Sequence, residues 1–192
     1  MSVKNYKFYN TSLGWIHFFI ALITFSLTVE PTASFWDAGE YIATSAKLQV
    51  GHPPGAPLFQ MIGAFFAMFA PNVEKVALFV NLMSVFSSAF TILFMFWTLT
   101  LILRKLPAFK NINTKSDYIG FFGSASIGSL AFCFSDSFWF NAVEAEVYAM
   151  ATLILSVLFW LGLKWEQQMN TAYGDRWLLL ISFIIGLSFG CL

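Results

Sequence analysis

The sequence predicts an all-α fold, a polytopic bundle of transmembrane helices with short interfacial helices on its outer face. Of its 192 residues, 58% are hydrophobic and only 10% are charged, whereas a soluble domain averages about 45–50% apolar and about 25% charged residues. The mean hydropathy is +0.72, and the apolar residues occur in long runs that can cross a ~30 Å hydrocarbon layer as helices. The formal net charge is zero, so no basic field indicates nucleic acid as a partner.

The apolar runs predict transmembrane helices at about 13–29, 76–103, 118–134, 141–163 and 177–192. The first run is longer than the core of a signal peptide and no small-residue cleavage site follows it, which favours an uncleaved anchor. Residues 31–75 predict an outer loop with short helices, because the apolar run at 56–70 is too short to span. Residues 1–192 thus form a single transmembrane domain. The last run has no polar flank, so we expect a chain truncated at its C-terminus.

Basic and acidic residues are sorted between the two sides of the predicted bundle. The N-terminal lead and the links 104–117 and 164–176 hold eight of the ten Lys and Arg residues. By the positive-inside rule these segments are cytoplasmic. The other side holds seven of the ten acidic residues: Glu30, Asp37, Glu40, Glu74, Asp136, Glu144 and Glu146. The predicted outer face is therefore acidic.

The stretch 35–58, FWDAGEYIATSAKLQVGHPPGAPL, concentrates polar chemistry in an otherwise apolar chain. If residues 36–50 form a helix, Asp37 and Glu40 share one face. Two ionised carboxylates at that spacing repel, so either one pKa is raised or a cation or hydrogen-bond donors lie between them. Such a pair can act as a base or hold a metal. The two prolines that follow His52 predict a rigid turn that fixes its position.

A second outer stretch, FWFNAVEAEVY at 138–148, repeats the order of an aromatic pair, acids and a tyrosine. On the predicted helix 141–163, Glu144 and Tyr148 share a face and Glu146 points away. Carboxylates at the edge of a membrane are either functional or simply solvated charges favoured by a helix N-terminus. His17, in the first predicted helix, is more typical of a hydrogen bond to a neighbouring helix than of a ligand. Two cysteines, Cys133 and Cys191, lie in apolar runs and predict buried thiols.

The segments VEPTASFWDAGEYIATSAKLQVGHPPGAPLF and WFNAVEAEVYAM together resemble the N-terminal part of a large membrane family. That family was long labelled a domain of unknown function. It is common in Bacteroidetes-type bacteria and includes the eukaryotic O-mannosyltransferase that modifies plexin-type receptor ectodomains, within the glycosyltransferase-C superfamily. The resemblance implies a multi-pass enzyme of the bacterial inner (plasma) membrane, with a cytoplasmic N-terminus and a site facing the periplasm. It implies transfer of a mannose-like sugar from a polyprenyl-phosphate donor to a Ser or Thr hydroxyl of an acceptor protein.

The resemblance also implies roles for individual residues. Asp37 is the expected general base, with the catalytic Glu40 beside it. The expected substrate-binding residues are Trp36, Tyr41, His52, Glu144, Glu146 and Tyr148. The implied partners are membrane lipid, the lipid-linked sugar donor and the acceptor protein, with no nucleic acid. No cofactor is certain, although the carboxylates could hold a divalent metal. Two other hypotheses stay open: a transporter or proton-coupled channel that uses the outer acids and His17, and a non-catalytic membrane subunit that anchors a partner.

Overall fold

The computed structural model describes residues 3–53, 55–109, 112 and 114–191. Every regular element within them is helical, which confirms the all-α prediction. The helices are α1 (Val3–Thr28), α2 (Ala38–Lys47), α3 (Pro57–Ala67), α4 (Val76–Leu103), α5 (Lys115–Cys133), α6 (Asp136–Ala142), α7 (Val147–Gln168) and α8 (Gly174–Ser188), with 3-10 turns at Val73–Lys75 and Pro107–Phe109. Pro54 of the predicted turn, Lys110 of a predicted inner link and Leu192 of the fifth predicted helix lie outside the described residues.

Three helical stretches are long and apolar enough to cross a membrane: Tyr6–Thr28, Val73–Leu103 and Val147–Gln168. The pair α5 and α6 passes the same test jointly, with a bend of 65° between them, and gives a fourth crossing if the pair is one span. The shorter α3 has 11 residues and α8 has 15, both below the length of about 20 residues that a span needs. The chain is therefore a helical membrane bundle.

Helix α4 is the centre of the bundle and contacts α1, α2, α3, α5, α6 and α7. Its buried face includes Ile92 and Phe96, both fully enclosed. Helix α1 approaches α4 closely where Gly14 lies against the Trp97 indole, whose Nε1 donates to the Asn10 carbonyl at 3.1 Å. A side chain at Gly14 would collide with that ring, so the glycine permits the close approach of the two helices.

His17 is buried between α1 and α4, but its hydrogen bond differs from the prediction. Its Nδ1 lies 2.7 Å from the Leu13 carbonyl of its own helix, and its ring stacks on Phe96 with centroids 4.6 Å apart. The His17 side chain points back along α1 and therefore reaches the carbonyl of the preceding turn rather than a group on a neighbouring helix. His17 is about 16 Å along α1 from its last residue, Thr28, and so lies away from the acidic residues that follow the helix.

The antiparallel order of the long helices gives the bundle two chemically different ends. Helices α1 and α5 run toward one end, from which α4 and α7 return. We call this end, formed by residues 29–58 and 134–147, the acidic end. The opposite end, formed by residues 6–11, 104–109 and 164–176, is called the basic end. The predicted sorting of charges therefore corresponds to two ends of one bundle.

The predicted helix 141–163 is broken in the structure. Helix α6 ends at Ala142 and α7 begins at Val147, so residues 143–146 are not helical. Two non-helical hydrogen bonds occur at the break: the Val143 carbonyl accepts from the Glu30 backbone N–H at 3.0 Å, and the Glu146 N–H donates to the Glu144 carbonyl at 2.9 Å. These bonds replace helical ones. Because the partner of Val143 lies in the segment after α1, the local sequence pattern does not reveal the break.

Candidate active site

The backbone that leads into the acidic end is fastened by one buried amide. Asn81, on α4, is completely buried, and its Nδ2 donates to the carbonyl oxygens of Glu30 at 2.7 Å and Thr32 at 2.9 Å. These carbonyls follow the end of α1 and have no helical partner of their own. Asn81 therefore fixes the path of the chain from α1 to α2. The sequence signal for it was a lone Asn within an apolar helix, where polar side chains are costly unless they are used.

Asp37, Glu40 and His52 converge at the start of α2. Asp37 is the residue before the helix and Glu40 lies in its first turn. After α2 the chain turns back, so that Glu40 Oε1 accepts from the His52 backbone N–H at 2.6 Å and Oε2 lies 3.0 Å from His52 Nδ1. His52 Nε2 is 3.9 Å from Asp37 Oδ2. The three side chains stay 39–57% exposed, so a ligand can reach them.

The position of His52 resolves the repulsion expected between the two carboxylates. The side-chain hydrogen bond with Glu40, followed by the charges of Glu40 and Asp37, raises the pKa of His52. Hydrogen bonds from the backbone and side chain of His52 lower the pKa of Glu40. A histidine that lies between two carboxylates therefore tends to carry a proton and balances their charge. Helix α2 is shorter than the predicted 36–50 and leaves Asp37 outside its first turn.

The turn that carries His52 is held from below by Gln60 of α3, which is buried. With its amide oriented to satisfy its neighbours, Gln60 donates to the Gln49 carbonyl at 3.1 Å and accepts from Thr44 Oγ1 at 3.3 Å and from the Gly51 N–H at 3.2 Å. A Cβ at Gly51 would lie 3.0 Å from Glu40 Oε1. Gly51 therefore lets the turn approach Glu40 closely enough for the Glu40–His52 hydrogen bonds to form.

Glu144 and Glu146 lie in the break between α6 and α7 and are both buried, with 3% and 6% of their surface exposed. This corrects the prediction that Glu144 shares a helical face with Tyr148, because Glu144 is not in a helix. The carboxylate of Glu144 accepts a 2.5 Å hydrogen bond from Ser34 Oγ. Burial, opposed by that bond, raises the pKa of Glu144. Glu144 thereby joins the α6–α7 break to the segment before α2.

Glu146 faces the first acidic motif. Burial, followed by the charges of Glu144 and Asp37, raises the pKa of Glu146 to about 7. The charge of Glu146 also contributes to the raised pKa of His52. On the predicted helix Glu146 points away from Glu144 and Tyr148, whereas in the structure it lies in the helix break, close to Asp37. An acid that exchanges its proton near neutrality is typical of functional sites.

Aromatic side chains surround the cluster of acids. The Tyr41 ring lies 6.2 Å from the His52 ring and 5.1 Å from Phe59, measured between centroids. Burial, followed by the charge of Glu146, raises the pKa of Tyr41. Tyr148, in the first turn of α7, is 58% exposed and close enough to Tyr41 to interact electrostatically. Trp36 projects outward, 86% exposed.

Trp36 has an unusual backbone conformation for a bulky residue. Its φ of 58° is in the left-handed region, which a bulky residue rarely adopts. Such strain persists where the surrounding structure requires it and is concentrated at functional sites. Trp139, the corresponding residue of the second motif, is different: its Nε1 donates to Thr28 Oγ1 at 3.0 Å and its ring contacts Phe25. Trp139 thus packs α6 against α1, while Trp36 is free to contact a ligand.

The assembled site combines a partly exposed carboxylate, a histidine between two acids and a buried acid that titrates near neutrality. This set can take a proton from a hydroxyl group and stabilise a negatively charged leaving group. One possible ligand atom from each of Asp37, Glu40 and His52 lies within 4.8 Å of the others, so these residues could also hold a divalent cation. Every predicted site residue lies at the acidic end except Tyr148, which is next to it in the first turn of α7, and Asn81, Gln60 and Ser34 are the supporting residues that the predicted site lacked.

Comparison with known proteins gives a family for most of the chain. Residues 37–191 match the family described as "Protein O-mannosyl-transferase TMEM260 N-terminal domain". A protein O-mannosyl-transferase of Dictyostelium discoideum is 26% identical over 161 residues, which cover 83% of this chain and 18% of that protein. Its namesake in Mus musculus is 26% identical over 164 residues, covering 85% of this chain and 21% of that protein. The chain thus spans about a fifth of the length of these relatives. No solved structure matches it.

Proposed function

The chain belongs to the protein O-mannosyl-transferase TMEM260 N-terminal domain family, and we propose that it carries the catalytic site of a glycosyltransferase of the glycosyltransferase-C type. The transferase takes a mannose-like sugar from a polyprenyl-phosphate donor and places it on a Ser or Thr hydroxyl of an acceptor protein. Both relatives are named as protein O-mannosyl-transferases. The observation that supports a catalytic site here is the convergence of Asp37, Glu40 and His52, which all fall within the matched residues 37–191.

Asp37 is the proposed general base. Its carboxylate is 57% exposed, so an acceptor hydroxyl can approach it, and it has no helix-capping hydrogen bond to its own helix. Asp37 takes the hydroxyl proton as the acceptor oxygen attacks the anomeric carbon, while the bond from that carbon to the donor phosphate breaks and the phosphate keeps the electron pair. Glu40 acts by holding His52, through two hydrogen bonds, beside Asp37.

His52 is the proposed contact for the departing phosphate. The neighbouring carboxylates raise its pKa, so it offers positive charge in an otherwise acidic site. Glu146, whose pKa is about 7, and Glu144 behind it complete the polar wall of the substrate site. The aromatic rings of Trp36, Tyr41 and Tyr148 supply apolar surface for the sugar and its lipid. In this proposal the acidic end faces the periplasm and the basic end the cytoplasm of a bacterial inner membrane.

The contact geometry supports catalysis over the two other hypotheses. A proton-coupled transporter needs titratable groups at the middle of the membrane, but the described acids of the site lie at the start of α2 and between α6 and α7, outside the membrane-crossing helices. A purely anchoring subunit does not need an exposed Asp37 beside His52, nor a left-handed Trp36 that is held toward solvent. Neither alternative explains the supporting hydrogen bonds beneath His52.

Asp37→Asn in the full-length protein tests the proposal. We expect it to reduce sugar transfer from a polyprenyl-phosphate-mannose donor to an acceptor protein by 10²-fold or more, the usual contribution of a general base. The matched control is Asp136→Asn, an exposed acid at the same end of the bundle, in the first turn of α6, which should keep its activity. Equal activity of both variants would show that Asp37 is not the base. The same assay with EDTA determines whether the site works with a divalent cation.

A further inference from the structure

A cavity of about 390 Å³ opens between α1, α4 and α7 at the basic end. Its wall contains a cationic side chain from each of these three elements: Lys7 from α1, Arg104 directly after α4, and Lys164 from α7. The indole rings of Trp97 and Trp160 also line it. The acidic site is at the far ends of the same helices. From Arg104 back to the start of α4 is about 40 Å at 1.5 Å per residue, so this cavity is separate from the proposed chemistry.

The cations of this cavity are not neutralised by the residues around them. None of the residues that line the cavity is acidic, within the described part of the chain. Arg104 lies over the Tyr6 ring, 4.6 Å from its centroid, and Lys164 lies 5.5 Å from the centroid of the Trp160 ring. Cation–π contacts of this kind orient a cation but leave its charge in place. Lys7 and Arg104 are also close enough to Lys164 to repel it electrostatically.

The adjacent residue shows that ion pairing is available at this end of the bundle. Lys105 forms an ion pair with Glu166, outside the cavity lining. The sequence therefore provides an acid for the cation next to Arg104, while the three cations that share the cavity face one another. Keeping like charges together without a counter-charge is unfavourable, and a bound anion would remove that cost.

We propose that this cavity binds a phosphate group. Arg104 offers the planar fork of donors that suits phosphate oxygens, and Lys7 from α1 and Lys164 from α7 add two further positive charges. The phosphate could belong to the headgroup of an anionic membrane lipid or to a soluble phosphate compound. The level of the cavity favours the lipid, because Trp side chains and basic residues at the end of a membrane bundle are placed where headgroups lie. The proposal stands independently of the glycosyltransferase function.

The test measures retained phosphatidylglycerol on the purified full-length protein by native mass spectrometry, after exchange from mixed micelles with phosphatidylcholine. We expect each of Lys7→Gln, Arg104→Gln and Lys164→Gln to weaken phosphatidylglycerol binding about 5-fold, as expected for one basic residue at a membrane surface. The triple variant should fall to the level of phosphatidylcholine. Lys105→Gln removes the same charge one residue away from Arg104 and should bind as the wild type does.

A second arm distinguishes the source of the phosphate. Inorganic phosphate is titrated against the fluorescence of the protein in phosphatidylcholine nanodiscs, with circular dichroism to show that each variant is folded. A saturable change that the triple variant loses and Lys105→Gln keeps would assign the cavity to a soluble phosphate compound. If the triple variant and Lys105→Gln behave alike with both probes, the cations only mark the cytoplasmic side and the proposal is overturned.

Discussion

Replacing Glu146 with glutamine should stabilise the protein at alkaline pH and have little effect at acidic pH. Glu146 is 6% exposed, and burial with the charges of Glu144 and Asp37 raises its pKa from 4.5 to about 7. Between pH 4.5 and about pH 7, the folded protein therefore keeps a proton on Glu146 that the unfolded chain has already released. Over that window the stability of the wild type falls as pH rises, and above pH 7 the full cost of the buried charge is present.

The size of the effect follows from the pKa shift. A shift of one pKa unit corresponds to about 1.4 kcal/mol, so the rise in the Glu146 pKa from 4.5 to about 7 sets an upper limit of about 3 kcal/mol at pH 8. At pH 5 most of this cost is absent, because the folded protein is still protonated at Glu146. The stabilisation by Glu146→Gln should therefore be about 2 kcal/mol larger at pH 8 than at pH 5, or roughly 4–8 °C in Tm for a domain of this size.

The assay is thermal unfolding of wild type and variant in the same detergent at pH 5 and pH 8. Glu74→Gln is the matched control, since Glu74 is an exposed acid on the same side of the bundle and its replacement should change Tm equally at both values. If Glu146→Gln changes Tm relative to the wild type by the same amount at pH 5 and at pH 8, the buried-charge account is refuted. Sugar transfer by Glu146→Gln should fall at the same time, because the charge that destabilises the fold is part of the proposed site.

Further predictions concern the support of the cluster. Glu40→Gln removes the main cause of the raised His52 pKa. The loss of sugar transfer at alkaline pH should therefore begin at a lower pH in this variant than in the wild type. An unshifted pH profile would exclude His52 as the titrating group. Gly51→Ala brings a methyl group within 3.0 Å of Glu40 Oε1 and should reduce transfer about 10-fold with little change in Tm, whereas Gly123→Ala, which has open space around its Cα, should change neither. Asn81→Leu leaves two carbonyls without a donor and should cost about 2–4 kcal/mol of stability, seen as a lower Tm; an unchanged Tm would show that the carbonyls find other partners.

The fold class could be predicted from the sequence because membrane helices depend on a local property. A long apolar run must form a helix in lipid to satisfy its backbone hydrogen bonds. The helices α1, α4 and α7 can therefore be predicted from their own apolar runs, without knowledge of the neighbouring helices. The break at residues 143–146 depends instead on the Glu30 N–H, more than a hundred residues earlier in the chain. Nothing in the run NAVEAEVY disfavours a helix strongly enough to indicate it.

The site was predictable as a set of residues, but its geometry was not. Acids are rare in an apolar chain, and this scarcity points to Asp37, Glu40 and the two glutamates of the second motif. Which of them meet depends on tertiary contacts: the helix break turns Glu146 toward Asp37, and Ser34 binds Glu144. Gln60 gave no signal at all, since one glutamine in a short apolar helix has many structural explanations.

The protonation states of the site matter for the proposed phosphate-bearing donor, because a cluster of acids repels a phosphate group. Asp37, Glu40 and Glu146 together would present three negative charges if all were ionised. A raised pKa at His52 adds a positive charge, and a pKa of about 7 at Glu146 lets that acid stay neutral on the acidic side of neutrality. The summed charge of these three acids and His52 then changes from minus three to minus one. Because both adjustments are lost as pH rises, the Michaelis constant for the proposed donor should increase at alkaline pH more than kcat decreases.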